Sequence, residues 1–314
     1  MVETDPRIIF IDGTLPVPEE ARRCVAVIGN LDGVHLGHQF LIDEARELAE
    51  GMSALTGAVV FSPHPRSFFQ PDGEPFQLTP LLHKAELALA CGVDRVFIVP
   101  FDERLSSLSP EGFVGDILHQ QLALIGVVVG EEFQFGKGRA GNAASLQSLA
   151  QKHDMASLIV TPIGAGAEKY SSSSARTALR EGRPETALAI LGRHWSVRGA
   201  IAHGKRLGHK IGFPTVNIPL GDYLSPKQGI YAVTIRWADK NYYGVGYYGA
   251  RPTVDGTGAL LEAHIFDFNQ TIYGETVEIF FHHFIRDDEK FSSLEKMKEQ
   301  IARDSAKAKA LFGI

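Results

Sequence analysis

Two histidines, His35 and His38, stand in a glycine-rich turn near the start of the chain. An apolar run typical of a buried strand precedes the turn, and a helical segment follows it at 39–50. The free backbone N–H groups and the positive dipole end of such a helix start attract anions. The pattern therefore predicts a nucleoside triphosphate site, although a capped helix start with surface rings is the alternative. The other turn residues that suit this site are Gly29, Asn30, Asp32 and Gly33.

Three later segments of the first half could serve the same chemistry. Pro63, His64 and Pro65 form a turn after an apolar run. The glycine-rich loop 130–142 has cations suited to phosphate and phenylalanines suited to a flat ring, although a flexible surface loop is the alternative. The serine-rich helix start 171–176 suits a phosphate, although ordinary N-capping by one serine explains it equally well.

The elements that must position these residues alternate between strand and helix. Near-continuous apolar runs at 25–28, 55–61, 95–101, 125–129 and 155–162 are separated by amphipathic helical segments. This alternation predicts a parallel sheet with helices on both faces. Ligands of such sheets bind at the carboxyl ends of the strands, so we expect the turn and loops to meet at one edge.

The second half has a different pattern. From Trp195 onward, period-two alternation predicts a small antiparallel β-barrel, and a long amphipathic helix closes the chain. We place the boundary near residue 185, which gives an α/β domain 1–185 and a β domain 186–314.

Two places in the second half could do chemistry. The segment 204–217 contains Thr215 and Asn217, whose side-chain oxygens suit Mg²⁺. Glu262 leads an apolar strand and is either an acid–base group or a solvated surface acid. The residues that would let the backbone and a cation approach phosphates are Gly204, Lys205, Gly208 and Gly212.

Composition limits the classes of function. The net charge of −6 argues against binding nucleic acid or a membrane surface through bulk charge. Two cysteines are too few for a disulfide framework, and no apolar run approaches the roughly 20 residues that span a bilayer. The acidic N-terminus does not resemble a signal peptide. We therefore expect a cytoplasmic protein.

The motifs together resemble those of prokaryotic bifunctional riboflavin kinase/FAD synthetases. Segments 32–38, 61–65, 130–136 and 171–176 are similar to the adenylyltransferase module, whose His-x-Gly-His motif belongs to a nucleotidyltransferase superfamily. Segments similar to the riboflavin kinase module are 212–217, 249–253, 262–267 and 273–274. The resemblance implies an N-terminal Rossmann-like nucleotidyltransferase domain and a C-terminal barrel of the riboflavin kinase type.

For the first module, the resemblance implies that the FMN phosphate attacks the α-phosphorus of ATP, with FAD and pyrophosphate as products. His35 and His38 would be catalytic, stabilising the charge that moves toward pyrophosphate. The implied ATP-binding residues are Gly29, Asn30, Asp32, Gly33, Ser172, Ser173 and Arg176. The implied flavin-binding residues are Pro63, His64, Pro65, Glu132, Phe133, Phe135 and Arg139.

For the second module, the resemblance implies that Glu262 is the general base that deprotonates riboflavin as ATP phosphorylates it to FMN, leaving ADP. Thr215 and Asn217 would hold Mg²⁺, and Arg286 and Phe291 would lie on the flavin side. Gly204, Lys205, Gly208 and Gly212 would hold ATP. We expect neither nucleic acid nor membrane as a partner, name no protein partner, and allow only weak homo-oligomerisation.

The chain departs from the family pattern at a few positions. Glu132 stands where the family has Asp or Asn, and Ser174 where it has Arg. Tyr247 and Tyr248 replace the usual Asn-Ile. Two alternatives therefore stay open: a riboflavin kinase with an impaired adenylyltransferase module, and a regulator that binds flavin or nucleotide without turnover.

Overall fold

The structure is a computed structural model that describes residues 5–12, 17–161, 163–165, 168–202, 215–249 and 260–314. Its contacts divide the chain into two compact units, residues 1–74 with 81–170 and residues 75–80 with 171–314. By these contacts the second unit begins earlier than the boundary expected near residue 185, and it includes a short segment of the first half. The domain ranges 1–185 and 186–314 stay a prediction.

The first unit contains a six-stranded parallel sheet in the order β1-β4-β3-β2-β5-β6. Strand β1 is too short to show a sequence pattern and was not expected. The strands are β1 Ile8–Phe10, β2 Cys24–Ile28, β3 Leu55–Ser62, β4 Arg95–Pro100, β5 Gly126–Gly130 and β6 Ala156–Val160.

Helices connect these strands, and the loops contain short 3₁₀ turns and two-residue strands. The helices are α1 Leu36–Gly51, α2 Pro65–Phe69, α3 Leu81–Ala90, α4 Glu103–Ser107, α5 Pro110–Gly112 and α6 Ala143–Gln151. Helix α5 continues as a π-helix, Phe113–Gln121. Short 3₁₀ turns cover Glu19–Ala21 and Lys137–Arg139. Two-residue strands pair Gln134–Phe135 with Gly141–Asn142, and Gly164–Ala165 with Glu168–Lys169.

The apolar strands are buried on both sides of the sheet. In β2, Val25 and Val27 pack into one apolar cluster, and Ala26 and Ile28 pack into another. Because successive side chains of a strand point to opposite faces, a strand between two cores must be apolar at every position. The expected parallel sheet with helices on both faces is thus confirmed.

The second unit is built around a six-stranded antiparallel sheet in the order β7-β12-β9-β10-β11-β8. The sheet curls until its edge strands meet, where the Ala202 N–H donates to the Asn217 carbonyl at 2.8 Å. This nearly closed barrel confirms the expected architecture. The strands are β7 Ser196–Ala200, β8 Thr215–Pro219, β9 Gly229–Trp237, β10 Lys240–Gly249, β11 Leu260–Ile265 and β12 Thr276–Arg286.

Helices α7 Ser172–Arg180, α8 Pro184–Leu191 and α9 Leu294–Phe312 complete this unit. The segment 75–80 is packed into it, because the buried Trp195 indole donates to the Leu78 carbonyl at 2.9 Å. The backbone N–H of Leu224 likewise donates to the Gln77 carbonyl at 2.8 Å. Within the described part of the chain, no helix combines the length and apolar character needed to cross a membrane.

Candidate active sites

The parallel sheet reverses its strand order at β2, which has β3 on one side and β5 on the other. Such a switch point leaves a crevice at the carboxyl ends of the strands, where α/β proteins bind nucleotides. The turn after β2, the turn after β3 and the loop after β5 all leave the sheet at this edge. The topology therefore confirms that the 29–38 turn, the turn at 63–65 and the loop 130–142 share one edge of the sheet.

His35 and His38 form a stacked pair at the start of α1. The helix begins at Leu36, earlier than the sequence pattern suggested, so His35 is its N-cap and His38 lies in its first turn. The His35 Nδ1 atom accepts the His38 backbone N–H at 3.3 Å, and the ring centroids are 3.6 Å apart. Because Nδ1 accepts, the neutral His35 ring carries its proton on Nε2. His35 is buried, so the surface-ring alternative fails for this residue.

The turn that carries the pair is held in an unusual backbone conformation. Leu31, Gly33 and Val34 have φ values of 46°, 83° and 38°. A positive φ is costly for a β-branched residue, so the surroundings must maintain it at Val34. Val34 is buried, and its carbonyl accepts a hydrogen bond from the Gln39 side chain at 2.9 Å. Gln39 is a positioning residue that sequence reasoning missed.

Asp32 and Gly37 complete the packing of this turn. Asp32 is almost fully buried, with 1% of its surface exposed. A side chain added at Gly37 would meet the His35 ring at 3.1 Å and the Tyr170 carbonyl at 3.3 Å. The glycine of the His-x-Gly-His pattern thus allows a close approach of Tyr170. Of the other predicted ATP residues in this turn, Asn30 is exposed and Gly29 is partly exposed.

A row of aromatic rings lies along the same edge of the sheet. Phe133 stacks on Phe135 with centroids 5.6 Å apart, and Phe135 lies 5.3 Å from Phe113. The row continues through Phe61 and Phe101 to Phe68 and Phe69, with neighbouring centroids 5.1 to 6.3 Å apart. Phe69 at its end is 67% exposed. Sequence reasoning assigned Phe133 and Phe135 to the flavin but none of the others. Phe61 and Phe101 end apolar runs that resemble ordinary core, and Phe68, Phe69 and Phe113 stand in no distinctive motif.

The turn after β3 leads directly into a helix. Pro63 is followed by His64, which caps α2 as its Nδ1 accepts the Arg66 N–H at 3.0 Å, and Pro65 is the first helical residue. Proline suits that position because its missing N–H would have no helical partner there. The helix presents Phe69 at the sheet edge.

Both glutamates of the loop after β5 have hydrogen-bond partners. Glu132 accepts a hydrogen bond from Lys169 Nζ at 2.7 Å, and this lysine lowers the pKa of the Glu132 carboxyl. Glu131 accepts from the Thr161 hydroxyl at 2.6 Å. Arg139 is exposed and has a φ of 58°. These pairs link the loop to neighbouring residues at the surface, and the phosphate and flavin contacts of the loop stay a prediction.

The serine segment belongs to the second unit. Ser171 caps α7 by accepting the Ser174 N–H at 3.0 Å, so one serine acts as an ordinary N-cap. Arg176 donates from Nε to the Phe76 carbonyl at 2.9 Å, and its guanidinium lies 5.3 Å from the Phe76 ring. Binding of ATP by Ser172, Ser173 and Arg176 stays a prediction.

Strand register brings the predicted kinase residues together. Asn217 of β8 lies opposite Glu262 of β11, and Thr215 lies opposite His264. Opposed residues of antiparallel strands project from the same face, so Thr215, Asn217 and Glu262 share one side of the sheet. Asn217 is buried, whereas Thr215 and Glu262 are half-buried. Gly204, Lys205, Gly208 and Gly212 lie outside the described residues.

A cavity of about 470 Å³ opens beside Thr215. Its other lining comes from Ile201, Val216, Ile265 and the segment 268–273. Phe268 and the polar residues that follow it were not singled out from sequence, because a loop that follows a strand carries no distinctive pattern.

Arg286 and Phe291 are neighbours, with the guanidinium 5.8 Å from the Phe291 ring centroid. The guanidinium donates from Nε and Nη2 to the buried carboxylate of Asp304 in α9, at 2.8 to 3.1 Å. Hydrogen bonding to Asp304 raises the pKa of Arg286. Arg286 therefore anchors the last helix, and its predicted contact with flavin stays a prediction.

Comparison with known proteins assigns each half to a family. Residues 17–174 match the family model described as FAD synthetase, and residues 191–312 match that described as riboflavin kinase. The chain is 36% identical over 298 residues to the bifunctional riboflavin kinase/FMN adenylyltransferase of Escherichia coli strain K12, with 95% of each chain covered. It is 37% identical over 293 residues to the enzyme of that name from Pseudomonas fluorescens, covering 93% of this chain and 94% of that one.

A solved structure from Streptococcus pneumoniae, titled a macrolide-efflux protein, has the same fold with a TM-score of 0.83 and 28% identity. The match covers 95% of this chain and 97% of that one. From these matches along nearly the whole sequence, we conclude that the chain belongs to the bifunctional riboflavin kinase/FMN adenylyltransferase family.

Proposed function

We propose that the chain makes FMN from riboflavin in its second unit and FAD from FMN in its first unit, using one ATP for each step. The proposal rests on one observation: each of the two matched regions contains its own group of polar side chains suited to phosphate chemistry. The stacked His35–His38 pair lies in the FAD synthetase match, and the opposed Asn217–Glu262 pair lies in the riboflavin kinase match.

In the first unit, a phosphate oxygen of FMN attacks the α-phosphorus of ATP. The bond from that phosphorus to the bridging oxygen breaks, and pyrophosphate leaves with the new charge. His35 donates through Nε2–H and His38 through its ring N–H to oxygens that gain charge, and each such donor contributes about 10²–10³ in rate. Gly29, Asn30 and Gly33 let the ATP phosphates approach the backbone of this turn, and the buried Asp32 orders it.

The aromatic row forms the flavin side of this unit. Its exposed end at Phe69 and the half-buried Phe133 present flat apolar surface, which suits an isoalloxazine ring. Phe135 is buried, so its predicted contact with flavin is replaced by a supporting role behind Phe133, on which it stacks. Pro63, His64 and Pro65 set the direction of the helix that carries Phe69. Arg139 binds the FMN phosphate, and Glu132 contributes by holding Lys169 at the rim of the loop.

In the second unit, Glu262 takes the proton of the ribityl 5′-hydroxyl as that oxygen attacks the γ-phosphorus of ATP and ADP leaves. The hydroxyl of Thr215 and the buried amide oxygen of Asn217, which lie on one face, are hard oxygen donors and suit Mg²⁺. When bound, Mg²⁺ neutralises phosphate charge. The cavity beside Thr215 accommodates ATP, and Gly204, Lys205, Gly208 and Gly212 bind its phosphates.

The experiment incubates purified protein with riboflavin, ATP and Mg²⁺ and separates the flavins by chromatography. We expect FMN to appear first and FAD to follow. FMN without FAD would support the impaired-adenylyltransferase alternative, and flavin binding without product would support the regulator.

We further propose that the enzyme works in the cytoplasm, apart from nucleic acid and membrane, and self-associates only weakly. Sedimentation at increasing protein concentration tests the last point.

A further inference from the structure

Tyr247 stands next to Glu262 on the same face of the barrel sheet. Register places Tyr247 of β10 directly opposite Glu262 of β11, which in turn lies opposite Asn217 of β8. The Tyr247 ring runs along its own strand, because a Cβ at Gly249 would overlap the phenol oxygen. The phenol hydroxyl at the end of this ring donates a hydrogen bond to Asp288 Oδ2 at 2.9 Å.

Asp288 belongs to segment 287–291, which lies in the connection between β12 and α9. Its other carboxylate oxygen accepts the Glu289 N–H at 2.9 Å, so both oxygens are engaged. The preceding Asp287 pairs with Lys227 Nζ at 2.8 Å. The phenol of Tyr247 therefore joins this segment to the strand that lies beside Glu262.

We propose that Tyr247 is a positioning residue for riboflavin, acting through Asp288 on segment 287–291; this rests on the kinase site proposed above. The hydrogen bond holds the flavin-side segment in a fixed relation to the strand beside the base. Without it, the segment loses one anchor and binds the flavin less well, while the proton transfer at Glu262 is unaffected. A tyrosine extends farther than the asparagine usual in the family, which allows it to reach Asp288.

The first test is Tyr247→Phe, which removes only the hydroxyl. Loss of one such hydrogen bond is expected to raise KM for riboflavin about fivefold while leaving kcat of FMN formation within about twofold. Tyr243→Phe is the matched control, because Tyr243 projects from the same face of β10 and is 41% exposed. We expect both kinetic constants of the control to match the unmodified enzyme.

The second test asks whether Tyr247 and Asp288 act through the hydrogen bond that they share. Asp288→Ala should raise KM as Tyr247→Phe does, and the double variant should show no additional increase. Asp288→Asn keeps an acceptor oxygen and should retain most of the affinity. An unchanged KM in Tyr247→Phe, a loss confined to kcat, or additive effects in the double variant would overturn the proposal.

A further variant separates this proposal from the one on which it rests. If Glu262→Ala still forms FMN, the assigned kinase site is wrong. If Glu262→Ala forms none while Tyr247→Phe keeps the original KM, only the role of Tyr247 is wrong. A melting transition like that of the unmodified protein verifies that the second unit of each variant is folded, and conversion of supplied FMN to FAD verifies the first unit.

Discussion

The His35 ring accepts the backbone N–H of His38 while stacking on the His38 ring, so one side chain both caps α1 and belongs to the histidine pair proposed to be catalytic. A change at His35 therefore affects the stability of the helix start as well as the chemistry. Substitutions can separate the two effects, because asparagine is a good N-cap and alanine is not.

We predict that His35→Asn and His35→Ala both lower FMN adenylylation by about 10²–10³, because each removes a donor to the leaving phosphate. His35→Ala should also lower the free energy of unfolding by about 1 kcal/mol, whereas His35→Asn should change it much less. Chemical denaturation and FAD formation from supplied FMN measure the two effects. Normal FAD formation by His35→Asn would contradict the catalytic assignment.

Glu262→Gln should lower kcat of FMN formation by about 10²–10⁴, because the amide has a similar shape but cannot take a proton. Conversion of supplied FMN to FAD should continue at its original rate. The control is Glu275→Gln, which changes an exposed acid of the same unit. Loss of both activities in folded Glu262→Gln protein would show that the two steps do not use separate sites.

Phe69→Ala should raise KM for FMN about tenfold, which corresponds to about 1.4 kcal/mol of lost apolar contact. Because Phe69 is 67% exposed, we expect little change in the melting temperature. Phe10→Ala is a suitable control, since Phe10 is also exposed but lies on the edge strand β1. Equal effects of the two substitutions would argue against a flavin wall at Phe69.

The second unit should lose stability as the pH falls from about 6.5 toward 4. Burial, together with the neighbouring His194 and His283, lowers the pKa of His282 to about 4. His282 is protonated near pH 6.5 in the unfolded chain but only near pH 4 in the folded chain. Protonation of His282 therefore favours unfolding between these two pH values. Thr234 and the pair His283–Glu185 are the other polar groups at this cluster.

His282→Gln tests this prediction because glutamine can bond to Thr234 but does not titrate. Its melting temperature should fall less steeply with pH than that of the unmodified protein. His119→Gln, a change in the first unit, should leave the slope unaltered. Parallel slopes for His282→Gln and the unmodified protein would exclude His282 as the source.

Local sequence patterns indicated the main strands and helices of both halves, although not strand β1 or the short helices α2 and α4. They also indicated the His35–His38 turn and Glu262, because those signals depend on residues that are adjacent in the chain. Strand order, by contrast, is a choice among pairings of distant segments. The parallel sheet could be expected, but its reversal at β2 required the assembled fold.

Tertiary structure alone decided which predicted residues meet. Asn217 and Glu262 become neighbours through antiparallel register, and a shift of one residue would place them on opposite faces. Arg286 donates hydrogen bonds to the buried Asp304, and Trp195 donates one to the carbonyl of Leu78, which is 117 residues away. Such contacts leave no local pattern, since their free energy arises only when distant segments are packed together. The sequence by itself thus determined the kinds of chemistry present, and packing decided which side chains act together.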